Sequence, residues 1–150
     1  MRLRFEPIGE VRCHATPVGP PWGTVLSELH FRPNLAAGLE GIQQFSHLLV
    51  LFFMHQAVYR TDRDLVRRPG GRQEMPRVGI FAQRASSRPN ALGVSVVRLL
   101  RQEAAVLSVQ GLDAFDGSPI LDVKPYVSDF DRANPSVEPD WVARLMRGYF

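Results

Sequence analysis

The sequence predicts a mainly β fold: an all-β barrel or sandwich with short helical additions and a C-terminal helix. Three observations carry this. Six or seven short segments have strand patterning, clusters of Gly, Pro, Asn and Asp separate them, and strands do not alternate with helical segments. The missing alternation argues against a doubly wound parallel sheet. The 150 residues suit one domain, 1–150, with a sizeable core.

Phe5 to Val11 reads as the first strand, with Pro7 and Gly9 marking an edge or bulge. Leu26 to Phe31 alternates apolar and polar residues, the half-buried strand pattern. Asn34 is placed to cap a short helix over Leu35 to Gln43. His47 to His55 is apolar on both faces, which predicts a fully buried strand. Tyr59 to Arg77, polar and arginine-rich around Gly70 and Gly71, reads as a long mobile loop. Val78 to Ala82, Val94 to Leu100, Ala104 to Val109 and Ile120 to Val127 supply the remaining strands. Arg88-Pro89-Asn90 and Asp116-Gly117-Ser118-Pro119 supply turns between them. Asp129 to Asp140 reads as a linker. Pro139-Asp140 then starts a helix on which Trp141, Leu145 and Tyr149 recur at i+4 spacing.

Composition narrows the function classes. Hydrophobic residues make up 45% and charged residues 22%, which excludes disorder for most of the chain. The longest apolar run, Leu48 to Met54, is far below the ~18–20 residues needed to cross a bilayer. MRLRFEPIGEVR lacks the apolar segment of a signal peptide. A cytoplasmic protein with no membrane partner is expected. Cys13 is the one cysteine, so an internal disulfide and a thiolate zinc site are excluded. On an extended strand His47 and His55 lie about 26 Å apart at ~3.3 Å per residue, too far to share a metal. No metal site is expected. His47 reads as a hydrogen-bonded core histidine. His55-Gln56, at a strand end, reads either as a ligand contact or as a polar strand cap. His14 and His30 have no evident partner.

Charge is uneven. Residues 60–101 hold ten arginines against Asp62, Asp64 and Glu74, and residues 102–140 hold eight acids against Lys124 and Arg132. The basic segment reads as a phosphate-binding surface or as a solvated loop. Lys124 is the single lysine among 18 basic residues. A compact ammonium is not equivalent to a planar guanidinium, so position 124 reads either as a place where lysine itself is needed or as a lone exception in a composition biased toward arginine.

Two stretches concentrate chemistry. Gly79 to Arg84 leads into Arg88-Pro89-Asn90 and then Gly93-Val94-Ser95. Arginine forks match phosphates or carboxylates, and an asparagine amide matches an adenine edge. A tight turn with solvated arginines is the plainer reading. Gly111 to Tyr126 holds Asp113, Asp116 and Asp122 with Lys124 and a Pro-Tyr pair. If Ile120 to Tyr126 is extended, Asp122, Lys124 and Tyr126 face one way while Leu121 and Val123 face the core. That is an active-site wall, or a surface ion pair of little energetic consequence.

PIGEVR (7–12), GLEGIQQFSHLLVLFFMHQ (38–56), VGIFAQRASSRPNALGVSVVRL (78–99) and GLDAFDGSPILDVKPYV (111–127) together resemble the TrmO-type (YaeB-like, VirR-like) tRNA methyltransferases. These stretches cover about half the chain, in the family's order. The resemblance implies a small β-barrel, S-adenosylmethionine as methyl donor, and a homodimer with the donor near the subunit interface. It implies N6-methylation of threonylcarbamoyladenosine beside the anticodon, with the tRNA anticodon loop as partner. It places donor contacts on His55, Gln56, Arg84, Val94, Asp113, Ala114, Phe115 and Asp116. It places Arg88 and Asn90 in a substrate-side element, and Asp122, Lys124 and Tyr126 in the catalytic D-x-K-P-Y element. An adenine amino group is a weak nucleophile, so such a site aligns it, accepts its proton and stacks the base.

Several residues depart from the family pattern. Pro20-Pro21-Trp22-Gly23 stands where the family carries a donor-contacting Pro-Arg-Gln. Gln83 replaces the threonine of FATR, Ala91 the second proline of RPNPIG, and Val66 to Arg72 a V-x-P-P-R loop. Two further readings therefore stay open: the same donor pocket with another acceptor, and a non-catalytic regulator that holds donor or RNA.

Overall fold

A computed structural model describes residues 3–13 and 21–150. His14 and Pro20, singled out above, lie outside them. The strands are β1 (Gly9–Cys13), β2 (Leu26–Phe31), β3 (His47–Phe53), β4 (Val66–Arg67), β5 (Val78–Gly79), β6 (Leu92–Glu103), β7 (Val106–Gln110) and β8 (Pro119–Pro125). The α-helices are α1 (Thr61–Asp64), α2 (Ser128–Asp131) and α3 (Asp140–Leu145). Six strands close into a barrel in the order β1-β2-β7-β6-β3-β8, with every neighbouring pair antiparallel. Of barrel and sandwich, the chain forms the barrel. Closure is completed by Gly9 opposite Ile120 and Glu10 opposite Pro119, and it leaves no open sheet edge.

The inward faces form the core. Leu48, Val50 and Phe52 of β3 meet Val11, Leu29, Val97, Leu107, Val109 and Ile120. Burying such a side chain contributes about 1.5–3 kcal/mol. Two glycines permit close approach. A Cβ at Gly9 would run into the carbonyl oxygen of His30 on β2, and one at Gly93 would run into the Phe52 ring.

Four expectations are corrected. β3 is not buried on both faces: its residues alternate, and Leu49, Leu51 and Phe53 point outward. The outer face is apolar without being covered, and periodicity cannot reveal that. His47 is exposed, not a core residue; its Nδ1 lies 2.8 Å from Ser46 Oγ. The parity of β8 is broken by a bulge. Leu51 pairs with Asp122 and Phe52 with Ile120, which leaves Leu121 unpaired. Ile120 and Val123 therefore both turn to the core, while Leu121 is half-buried. Finally, the stretch from Tyr59 to Arg77, read as one long loop, contains α1 and β4; β4 pairs with β5, and Asp64 and Met75 are buried.

Smaller differences have local causes. The helix expected after Asn34 forms as two 3₁₀ segments, Pro33–Leu39 and Ile42–Gln44, separated by Gly41 at φ 83°. Ala104, at φ 48°, turns β6 into β7 instead of starting a strand. α3 begins after Pro139 as expected but ends at Leu145. Gly148, at φ 73°, then turns the chain so that Tyr149 lies beyond the helix. No helix among the described residues is long and apolar enough to cross a membrane.

Candidate functional site

The start of β6 organises the first group of predicted site residues. Arg84 donates from Nη2 to the Val94 carbonyl at 2.6 Å. The next residue, Ser95, turns its hydroxyl inward and donates to Asp113 Oδ1. The Tyr149 hydroxyl donates to Asp113 Oδ2 at 2.8 Å. Burial pushes that phenol well above its ordinary range. The Asp113 carboxylate adds to the shift, and Arg84 opposes it. The strand thus joins Arg84, Val94 and Asp113, three residues drawn from two distant stretches of sequence.

The loop before β6 is braced by its own side chains. Gln83 is buried, and its amide donates to the carbonyls of Arg67 and Val78, both at 3.2 Å. Arg88 donates to the Gln83 carbonyl at 3.1 Å, so its guanidinium shapes the loop that carries Arg84. Asn90 is exposed at the loop's end. The departure at position 83 thus has a structural use: glutamine reaches two strands of the β4–β5 ribbon at once.

A second group lies where β3 ends. Ser118 Oγ is 3.3 Å from His55 Nδ1, and Gln56 Nε2 is 3.4 Å from His55 Nε2. Nearby in sequence, Asp116 Oδ1 accepts the Cys13 backbone N–H at 2.9 Å. Ala114 belongs to the core, and Phe115 packs against Trp22 with ring centroids 6.2 Å apart. Of the four residues Asp113 to Asp116, Asp113 is the one in contact with the Arg84–Val94 loop through Ser95.

The third group is on the outer face of β8. Lys124 Nζ lies 2.7 Å from Asp122 Oδ2, and Asp122 Oδ1 accepts the Val123 N–H at 3.0 Å. The carboxylate raises the lysine's pKa above its ordinary value. Tyr126 meets His47 edge-on with ring centroids 6.5 Å apart. Register ties this group to the first. Val94, Leu51 and Asp122 form one row across β6, β3 and β8, and Val96, Leu49 and Lys124 form the next. Two strand spacings separate the Val94 and Asp122 backbones by roughly 10 Å.

Ser95, Ser118, Trp22 and Tyr149 were not identified from the sequence as site residues. Gly93-Val94-Ser95 and Asp116-Gly117-Ser118 flagged the neighbourhoods of the two serines. Tyr149 carried only a helical spacing, and its true contact depends on the turn at Gly148. The Trp22 N–H donates to the Tyr149 carbonyl at 2.7 Å, which fixes this segment beside Asp113.

Fold and site together define a small antiparallel β-barrel with carboxylate, guanidinium and amide groups at its strand ends and on one outer face. The family model described as the tRNA-methyltransferase O N-terminal domain matches residues 12–132, and the chain belongs to that family. A probable S-adenosyl-L-methionine-binding protein of Methanothermobacter thermautotrophicus is 36% identical over 137 residues, covering 87% of this chain and 95% of the relative. The tRNA (adenine(37)-N6)-methyltransferase of Mus musculus is 32% identical over 149 residues, covering 92% of this chain and 34% of the relative. The crystal structure of TrmO from Pseudomonas aeruginosa superposes with a TM-score of 0.72 at 34% identity, covering 91% of this chain and 62% of that one. The chain thus spans nearly all of the first relative and about a third of the second.

Proposed function

We propose that this chain is an S-adenosylmethionine-dependent methyltransferase that modifies N6 of threonylcarbamoyladenosine beside the anticodon of tRNA, in the cytoplasm. Family membership sets the reaction class. The single observation that supports it at the site is the hub at the start of β6, where Arg84 and Asp113 come together around Val94 and Ser95. A guanidinium and a carboxylate at one place suit a ligand with both carboxylate and ammonium or hydroxyl groups. Asp113, Arg84 and the His55-Gln56 pair would hold such a donor, which supplies a methyl group carried on a sulfonium.

The outer face of β8 supports the acceptor side. In this reading Tyr126 stacks the base, and Asp122 stabilises the positive charge that grows on the amino nitrogen as the methyl leaves the sulfonium, then accepts its proton. Lys124 holds Asp122 in place. Val94 and Asp122 share one row of the same face, which suits transfer between a donor and an acceptor held there. The homodimer belongs to the same reading. Leu49 faces Val96, Leu51 faces Val94 and Phe53 faces Leu92, an uninterrupted apolar strip bordered by Asp122 and Lys124. Phe53, Leu92, Val94 and Val96 are each at least 40% exposed. A second copy covering this strip would put the site at the subunit interface.

The test is a pair of measurements on wild type and Asp122→Ala. Calorimetric titration with S-adenosylmethionine is expected to give micromolar binding for both, about −8 kcal/mol. Methyl transfer to tRNA is expected to fall about a hundredfold or more in the variant. Equal loss of donor binding and transfer would contradict the role given to Asp122.

A further inference from the structure

The segment between β3 and β6 builds a second feature, apart from the groups described above. A cavity of about 650 Å³ opens beside the β4–β5 ribbon, and four arginines line it: Arg63, Arg67, Arg68 and Arg77. Gly70 and Gly71 form part of its wall and contribute no side chain. The acid at its rim is Asp62, which is already engaged by Arg60 at 3.4 Å.

The arginines are held in place from below. Asp64 is wholly buried and accepts Arg63 Nε and Nη2, both at 2.7 Å, and Arg67 Nη1 at 3.3 Å. Arg68 is fixed by the Met75 carbonyl. Donors nevertheless remain unused. Among the described residues Arg77, which lines the cavity, makes no ion pair or hydrogen bond; Arg67 Nε also has no acceptor but is sealed from solvent, so Arg67 offers its exposed guanidinium end. A surface that spends a buried carboxylate on aiming guanidinium groups, and then leaves cations over, is built for an anion. Planar forks with several oriented N–H groups match the oxygens of a phosphodiester. The cavity is also joined to the donor side, because Gln83 bonds the carbonyls of Arg67 and Val78 and directly precedes Arg84.

We propose that this arginine cavity is a phosphodiester site that grips the backbone of the RNA acceptor, an inference that rests on the tRNA reading above. Asp64 is a positioning residue. Arg77 and Arg67 make the contacts.

The experiment is a fluorescence-anisotropy titration of a labelled tRNA anticodon stem-loop, repeated over a series of salt concentrations. Arg77→Ala is expected to weaken RNA binding about tenfold at low salt and to reduce the salt slope by about 1. Arg67→Lys keeps the charge but loses the fork, so it is expected to weaken binding while leaving the slope unchanged. Arg101→Ala removes an exposed arginine paired with Glu103 and is expected to change affinity less than twofold. Calorimetry with S-adenosylmethionine is expected to give the same affinity for Arg77→Ala as for wild type, which shows the barrel intact. RNA binding that ignores Arg77→Ala, or that responds equally to Arg101→Ala, overturns the cavity while leaving the tRNA reading in place. Wild-type protein that binds inorganic phosphate through Arg77 but does not bind the stem-loop overturns the tRNA reading and this inference with it.

Discussion

Asp64 is the residue on which the arginine-rich segment turns. The Arg63 guanidinium holds its carboxyl well below the usual carboxylate range, helped by the Arg60 amide and by Arg67 and opposed by burial. A depressed folded-state pKa adds stability that is fully present above the ordinary carboxylate value. That stability is lost as pH falls toward the folded-state value. Asp64→Asn is therefore expected to lower Tm by several degrees at pH 7. Thermal scans at decreasing pH are expected to show the two proteins converging below about pH 4, where the unfolded carboxylate begins to protonate. An unchanged Tm difference down to the lowest accessible pH would remove Asp64 from this role. Position 64 also shows what the sequence conceals. An aspartate in Thr61-Asp62-Arg63-Asp64 looks solvated, yet the fold buries Asp64 among Arg60, Arg63 and Arg67 while leaving Asp62 exposed.

Strand pairing, more than strand propensity, decides which residues meet. The order of elements and the existence of most strands were legible, because period-2 patterns and turn signals are local properties. The two-residue strand β4, the Leu121 bulge and the outward face of β3 were not, because each is set by a partner distant in the chain. The same holds for the candidate site. Asp122 with Lys124 was readable from an i, i+2 spacing, but the joining of Arg84 to Asp113 depends on β6 lying between them. Close approach gives a direct test at this scale. Gly9→Ala places a methyl group against the His30 carbonyl, backbone that cannot move without disturbing β1–β2 pairing. Urea denaturation is expected to show a loss of about 1–3 kcal/mol. A neutral result would mean that β1 can shift in register or tilt.

At the scale of the whole molecule, a closed barrel has no edge strand through which to pair with a second copy, so a dimer built on the barrel uses its outer faces. The apolar strip on β3 and β6 is the face that best suits that use. Val96→Glu puts a charge in the strip, opposite Leu49, without removing the Arg84–Val94 or Ser95–Asp113 hydrogen bonds. Sedimentation is expected to show a dimer for wild type and a monomer for the variant, with circular dichroism unchanged. A wild-type monomer at high micromolar concentration would show that the strip serves another purpose.

In the proposed function the barrel transfers a methyl group from S-adenosylmethionine to a tRNA adenosine. The most direct measurement is nucleoside mass spectrometry of unmethylated tRNA incubated with the purified chain and the donor. One added methyl group on threonylcarbamoyladenosine is expected, dependent on the donor and formed about a hundredfold or more slowly with Asp122→Ala. Donor binding in the micromolar range with no methyl gained by any tRNA nucleoside would contradict it, and would leave a donor-binding barrel whose acceptor is something else.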